Sequence, residues 1–338
     1  MKNLKFKTTN LVLALLALFV FVSCNTDESP LGEPPVITKV SASIGDVETT
    51  QGYANNFYIV RGSGFSTVNK VYFNETDTYF NPTLVTDNVI IVRIDENTPY
   101  ENASNELRIV NDAGTAVYPF IVAPPAPTLK SFNPINASEG ETVTIYGSFF
   151  LDPIVTVGDV EVATTSSSLT EIQFVMPADA NHKYVSVETI SGNSISTYAT
   201  GTAIYDDVWY NGWDVESWNN QVYVTDDEAQ QGLTYFKKDM GAWDNLQGNW
   251  SWDDQIAAYA GIRLAIKGDD TSTLKLVFNG NWDDVTAPKI DVTKEWKEYY
   301  FTWADLGGAT YVQNISFQEF TGNGGVYYFD NFGFFLNE

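Results

Sequence analysis

Four tryptophans are followed directly by carboxylates: Trp213-Asp214, Trp243-Asp244, Trp252-Asp253-Asp254 and Trp282-Asp283-Asp284. An indole offers a flat apolar face, whereas an ionised carboxylate offers only hydrogen-bond acceptors. Together they suit a ligand with an apolar face and a fringe of hydroxyls, which is the form of a pyranose ring. Several such pairs in one stretch suit a chain of sugars. Core packing is the ordinary alternative for any tryptophan, and local context helps to separate the two. Trp250, Trp252 and Trp282 lie in NWSWDD and NGNWDD, stretches that read as loops. A loop tryptophan that no core requires asks for another role. Trp243, next to Asp244, is taken with them as a candidate contact. Trp296 and Trp303 bound a strand that should pack into a sandwich and are read as structural. Trp209, Trp213 and Trp218, in DDVWYNGWDVESW, have no assignable face.

Other chemistries find little support. The single histidine, His182, sits between Asn181 and Lys183 and reads as a solvated loop residue, which argues against a Ser-His-Asp triad or a His-ligated metal. No P-loop, dinucleotide fingerprint or paired-cysteine motif is present. A formal net charge of −25 argues against nucleic acid and polyanions and leaves a neutral ligand as the better fit. The same carboxylates also serve solubility. Two of them about 5–10 Å apart would suffice for glycoside hydrolysis, but no motif singles out an acid and a base. The expectation is therefore a non-catalytic binder needing no cofactor, with a glycoside hydrolase and an adhesin or structural surface protein as the alternatives.

The candidate contacts must be carried on strands. Ile262, Leu264 and Ile266 alternate with Arg263 and Ala265, and Leu274, Leu276 and Phe278 alternate with Lys275, Val277 and Asn279. Gln318 falls opposite Phe317. Arg263, Asn279 and Gln318 are therefore expected to line a concave sheet face with the aromatic loops at its rim, a plain solvated face being the alternative. The rest of the chain has the same all-β texture, with short alternating runs between Gly, Asn and Asp and no convincing helix.

Organisation follows from composition. Lys2, Lys5 and Lys7 precede an apolar run from Leu11 to Val22, too short for a comfortable membrane span, which ends at Ser23-Cys24. Residues 1–23 read as a lipoprotein signal peptide and Cys24, the only cysteine, as the lipidated residue, although Phe21 stands three before it where Leu is usual. With Cys24 so used, no disulfide is available. Residues 24–34 read as an acidic, Pro-containing linker. Two similar units follow, 35–123 and 124–204. The first holds Pro35-Val36-Ile37, Tyr58 to Phe65 with Gly62-Ser63-Gly64-Phe65, and a strand from Ile90 to Ile94. The second holds Pro127-Thr128-Leu129, Thr144 to Phe150 with Gly147-Ser148-Phe149-Phe150, and a strand from Ile172 to Met176. All nine tryptophans lie between Trp209 and Trp303, so residues 205–338 form a different kind of domain.

The two units resemble IPT/TIG domains, immunoglobulin-like β-sandwiches with a proline-led first strand and a G-x-x-F turn; Phe149 departs from the middle glycine of the first copy. Residues 206–338, with IYDD, YAGIRLAIKG, WKEYYFTW and YYFDNFGFF, resemble a jelly-roll carbohydrate-binding module. The whole layout is similar to the surface glycan-binding lipoproteins of starch-utilisation-like systems. That resemblance implies outer-membrane anchoring, with Asp27-Glu28 as a surface-export signal, a TonB-dependent transporter as a partner, and capture of a polysaccharide such as a β-glucan or mannan. It also raises a structural Ca²⁺ at Asp206, Asp207 and Asp330.

Overall fold

The computed structural model describes residues 32–251 and 253–337. Cys24, the signal and most of the linker, and Trp252 lie outside the described residues. All regular structure described is β except for two three-residue 3-10 turns, Pro82–Leu84 and Ser217–Asn219. The chain divides into two compact units at Ala123/Pro124.

In the first unit, strands Val36–Ala42, Phe57–Ser63 and Val89–Arg93 form one antiparallel sheet, and Thr76–Asp77, Val68–Phe73, Glu106–Asn111 and Gly114–Pro119 form the facing one. Alternate residues such as Val60, Val71, Ile90 and Ile109 fill the space between them. Phe120 meets Tyr58 and Phe73 edge to face there, each at a centroid separation of 5.4 Å. Its G-x-x-F turn has a steric reason. A Cβ on Gly62 would lie 1.8 Å from the Val36 carbonyl oxygen and 2.6 Å from the Phe65 ring.

The second unit holds two cores. One is a sandwich of Thr128–Asn133, Thr142–Ser148, Glu171–Val175 and Thr164–Ser167 against Val160–Val162, Ile154–Val157, Tyr184–Thr189 and Gly192–Ala199. Its Gly147 meets the Thr128 carbonyl and the Phe150 ring as Gly62 meets Val36 and Phe65. Phe149 adopts φ +63°, beside +73° at Gly64, so the turn keeps its form without the glycine. The other core lies between a seven-stranded sheet, which includes Tyr259–Gly268 and Gly325–Leu336, and a four-stranded sheet in the order Asn245–Leu246, Ile315–Glu319, Ser272–Phe278, Lys289–Val292. Ile262, Leu264 and Ile266 face Leu274, Leu276 and Phe278 across it, as alternation predicts.

The two sandwiches of this unit share a polar joint. Arg263 is buried there. Its Nε donates to Asn331 Oδ1 at 3.2 Å, its Nη1 donates to Thr202 Oγ1 at 3.2 Å and to the Phe334 carbonyl, and its guanidinium lies 4.4 Å from the Tyr198 ring centroid. Burial lowers its pKa to about 10. Asp206 accepts from the Ile135 N–H at 2.5 Å, and burial pushes its pKa up to about 7. His182, read from sequence as a solvated loop residue, is instead half-buried at this joint, with Nε2 3.1 Å from the Tyr259 hydroxyl.

Candidate functional site

The outer face of the four-stranded sheet carries an open polar row. Strand register sets Asn245 opposite Gln318, Gln318 opposite Lys275, and Lys275 opposite Lys289. Their side chains point away from the core because Leu246, Phe317, Leu274 and Ile290 point into it. One step toward the end of the strand Phe320 shares this face, half-buried, beside Gln318.

Aromatic rings flank the row. Trp243, Trp250 and Trp282 are 54%, 59% and 40% exposed, whereas Trp213 is 5% exposed and packs in the core. Trp243 sits at φ +62° in a tight turn. Its N–H donates to Glu319 Oε2 at 2.9 Å, its carbonyl accepts from Gln318 Nε2 at 3.3 Å, and its ring meets Phe320 edge-on at 5.7 Å. Gly322 leaves room for the indole, since a Cβ there would come within 3.0–3.1 Å of the ring. Glu319 is fully buried and clamps two turns, because it also accepts from Thr321 and from the Gly322 N–H at 2.9 Å. Burial works against its charged form, but the Thr321 hydroxyl and the three N–H donors outweigh it and lower its pKa.

Trp282 is held from beneath by a buried ammonium. Lys275 Nζ donates to the Trp282 carbonyl at 2.9 Å and pairs with Asp284 at 2.7 Å. The same nitrogen lies 5.7 Å from the Trp282 ring centroid and 5.2 Å from that of Phe320, and Lys289 Nζ lies 4.5 Å from Phe320. Asp283 Oδ1 accepts from the Val285 and Thr286 N–H groups at 3.0 and 2.8 Å, which shapes the loop that presents the indole. These hydrogen bonds, those of Thr286 first, lower the Asp283 pKa. Trp243, Phe320 and Trp282 thus share one face, with Lys275 buried beneath the last two rings. Trp250 stands over Gly280, where a Cβ would lie 3.0 Å from its ring.

The residues expected from sequence divide as follows. Trp243, Trp282 and Gln318 share this face, and Trp250 stands at the turn that leads to Trp282. Asn279 borders the face, but its amide is used internally. Its Oδ1 accepts from the Gln313 N–H at 2.7 Å and its Nδ2 donates to the Tyr311 carbonyl at 2.9 Å, so it positions the loop around residue 313. Arg263 does not join them. Alternation gives its side of the strand correctly, but that strand belongs to the seven-stranded sheet, and Tyr198 and Thr202 of the neighbouring sandwich cover it.

The carboxylates beside the tryptophans organise loops: Asp244 pairs with Lys238 at 3.4 Å, as Asp284 does with Lys275. Trp303 packs against the core, as expected, and its Nε1 donates to the Tyr259 carbonyl. Trp296 lies outside that core. Its Nε1 donates to the Glu228 carbonyl at 2.7 Å, and Lys267 stands over its ring. Sequence reasoning misses Phe320 and Lys289 as members of the face and Lys275 as the buried support beneath it, although alternation sets Lys275 on the correct side of its strand.

The acidic residues raised for calcium do not fit an ion. Asp206 accepts from Ile135, Asp207 from the Leu233 and Thr234 N–H groups, and Asp330 from the Gln230 and Gln231 N–H groups. Among the described residues no group of three or more His, Cys, Asp or Glu side chains could hold a metal.

Residues 127–204 match the family model of the IPT/TIG domain. No curated protein sequence matches the chain. Among solved structures, the surface glycan-binding protein PbSGBP-B from Prevotella bryantii aligns at 16% identity over 91% of this chain and 100% of its own, with a TM-score of 0.51. SGBP-B from a complex xyloglucan utilization locus in Bacteroides uniformis aligns at 16% identity over 90% of this chain and 99% of its own, with a TM-score of 0.36. The family 11 carbohydrate-binding module of a Clostridium thermocellum cellulosomal cellulase, Lic26A-Cel5E, aligns at 11% identity over 38% of this chain and 84% of its own, with a TM-score of 0.25. The first of these shows a shared all-β fold along nearly the whole length of both chains.

Proposed function

We propose that this chain is a non-catalytic, surface-displayed binder of a neutral polysaccharide, and that the outer face of the four-stranded sheet holds the glycan. The observation that carries the reading is the arrangement of Trp243, Phe320, Gln318 and Trp282 on one sheet face, with the turn of each indole held from behind by buried Glu319 or Lys275. Rings held in place lose little freedom on binding, so stacking on a sugar face is met at low entropic cost. The amide of Gln318 and the exposed ammonium of Lys289 offer hydrogen-bond donors to ring hydroxyls, while Lys275 stays buried beneath the rings. The shared fold with PbSGBP-B supports the same reading, and the ligand class proposed is a β-glucan or a mannan.

In this reading Cys24 carries the lipid at the outer membrane, residues 35–123 and 124–204 serve as immunoglobulin-like spacers, and 205–338 captures glycan for a neighbouring TonB-dependent transporter. Affinity electrophoresis against mixed-linkage β-glucan, xyloglucan and galactomannan tests it. The unaltered chain should be retarded by at least one of them. Trp243→Ala and Trp282→Ala should each weaken that binding about tenfold to a hundredfold, with the thermal transition nearly unchanged. Parallel loss of binding and of folding would assign both indoles to packing instead.

A further inference from the structure

The two immunoglobulin-like units differ at one face in a way that packing does not require. Pairing in the first sets Phe57 opposite Arg93 and Ile59 opposite Ile91; pairing in the second sets Thr142 opposite Val175 and Thr144 opposite Gln173. The shared G-x-x-F turns bring Phe57 to the place of Thr142 and Ile59 to that of Thr144, so an outward face that is largely polar in the second copy is aromatic and aliphatic in the first. The adjoining edge differs too. In the second copy Thr164–Ser167 pairs along Glu171–Val175 as a fourth strand. In the first, the chain instead swings out through Tyr79 and the turn Pro82–Leu84, and returns to the edge at a single bridge, Val85 to Ile90. Between this loop and the sheet lies a groove of about 300 Å³.

Its chemistry repeats that of the tryptophan face. Tyr79 is 80% exposed, Phe57 47% and Leu84 39%, and Asn81, Arg93 and Asp95 stand among them. The Asn81 carbonyl oxygen is engaged by Thr83, which fixes the amide and leaves its NH₂ facing out. Among the described residues no hydrogen bond or ion pair engages the Arg93 guanidinium. Exposed rings beside unengaged donors serve a ligand with an apolar face and many hydroxyls. A groove of this volume is at the low end for small-ligand sites. We infer that the first immunoglobulin-like unit carries a second glycan subsite, formed by Tyr79, Phe57, Asn81 and Arg93, which takes a short stretch of the same neutral polysaccharide. The inference rests on the glycan-binding reading of the chain. Its value is avidity, since two weak sites on one chain hold a long polymer more tightly than either does alone.

The test uses the intact chain and whichever of mixed-linkage β-glucan, xyloglucan and galactomannan it binds. Tyr79→Ala should lower affinity for the polymer about threefold to tenfold at an unchanged thermal transition, because the ring is exposed. The Trp243→Ala/Trp282→Ala double variant should retain weak binding, and adding Tyr79→Ala and Phe57→Ala should abolish it. If the tryptophan variant loses all binding and Tyr79→Ala alone changes nothing, the subsite is overturned while the function proposed for the sheet face stands. If Tyr79→Ala removes binding and the tryptophan variants do not, the subsite stands and the assignment of the sheet face falls. If the unaltered chain binds none of the three polymers, both fall, and the groove is left as a surface for a protein partner.

Discussion

Glu319 shows how one buried side chain can decide where an exposed one stands. Its two oxygens collect the N–H groups of Trp243, Thr321 and Gly322 together with the Thr321 hydroxyl, so that a single carboxylate ties the tryptophan turn to the end of the central strand. Hydrogen bonds to an ionised acceptor are about twice as strong as neutral ones. Glu319→Gln puts an NH₂ group against those donors and should cost about 2–3 kcal/mol. It should also weaken glycan binding by freeing Trp243. The acid response follows from the lowered pKa. The stability that Glu319 contributes is fully present above its ordinary value of 4.5 and is lost as pH falls through the depressed one. Thermal scans from neutral pH downward should therefore show the unaltered chain losing stability below about pH 4.5. The Glu319→Gln chain should start lower and lose less over the same interval.

At the scale of strands and turns, the two G-x-x-F motifs form one device with two solutions. Gly62 and Gly147 are required by contact, since a Cβ at either would strike a first-strand carbonyl and the ring of the motif's own Phe. Gly147→Ala should destabilise its sandwich by about 1–3 kcal/mol or more, as overpacking does. Phe149 meets a different constraint, a left-handed backbone that costs a non-glycine residue about 1–2 kcal/mol. Phe149→Gly should leave the turn intact and raise stability by up to about 1 kcal/mol once glycine's own entropy is counted. Chemical denaturation of the two variants would read both effects.

The same scale explains what could be read in advance. Alternation placed Ile262, Leu264 and Ile266 in the core, and it set Lys275 and Gln318 on outward sides of their strands. It could not say which sheet each strand joins or what covers an outward side. Arg263 was therefore assigned to an open face, whereas Tyr198, about 65 residues earlier in the chain, packs on it. Phe320 was legible in principle, since it shares parity with Gln318, but it stands just past the end of the strand, where alternation carries less weight. The exposure of Trp250 and Trp282 was legible from composition alone, because Asn, Gly and Asp around an indole leave it no core to join. The two carboxylates after Trp282 shape and anchor its loop, a role that their type and spacing alone do not reveal.

At the scale of the second compact unit, the joint between its two sandwiches is polar and buried. Asp206 and Asp330 are both raised by burial, Asp206 to about 7, and they share the site with Arg263, Asp207 and Gln231. The sign is opposite to that of Glu319. A carboxyl raised by folding contributes stability that is fully present below its unfolded pKa and lost as pH climbs through the folded one. Asp206 should thus favour the folded state at pH 4 and cease to do so by about pH 7. Asp206→Asn should remove that decline, which can reach a few kcal/mol, and leave the thermal transition flatter between pH 5 and 8. A steeper decline in the variant would mean that Asp206 is charged and paired with Arg263 throughout.

Gly333 lies against the Arg263 guanidinium, so closely that a Cβ on it would approach those atoms to 2.5 Å. The contact bears on how the protein can be divided. Severing the chain at residue 205 would strip Tyr198 and Thr202 from that guanidinium and the Ile135 N–H from Asp206, leaving two polar groups formerly inside a wall on its outer surface. The aromatic module is therefore not a detachable head. The portion that keeps this joint buried begins at Pro124, so a transplant of the binding face that preserves it carries the neighbouring sandwich as well.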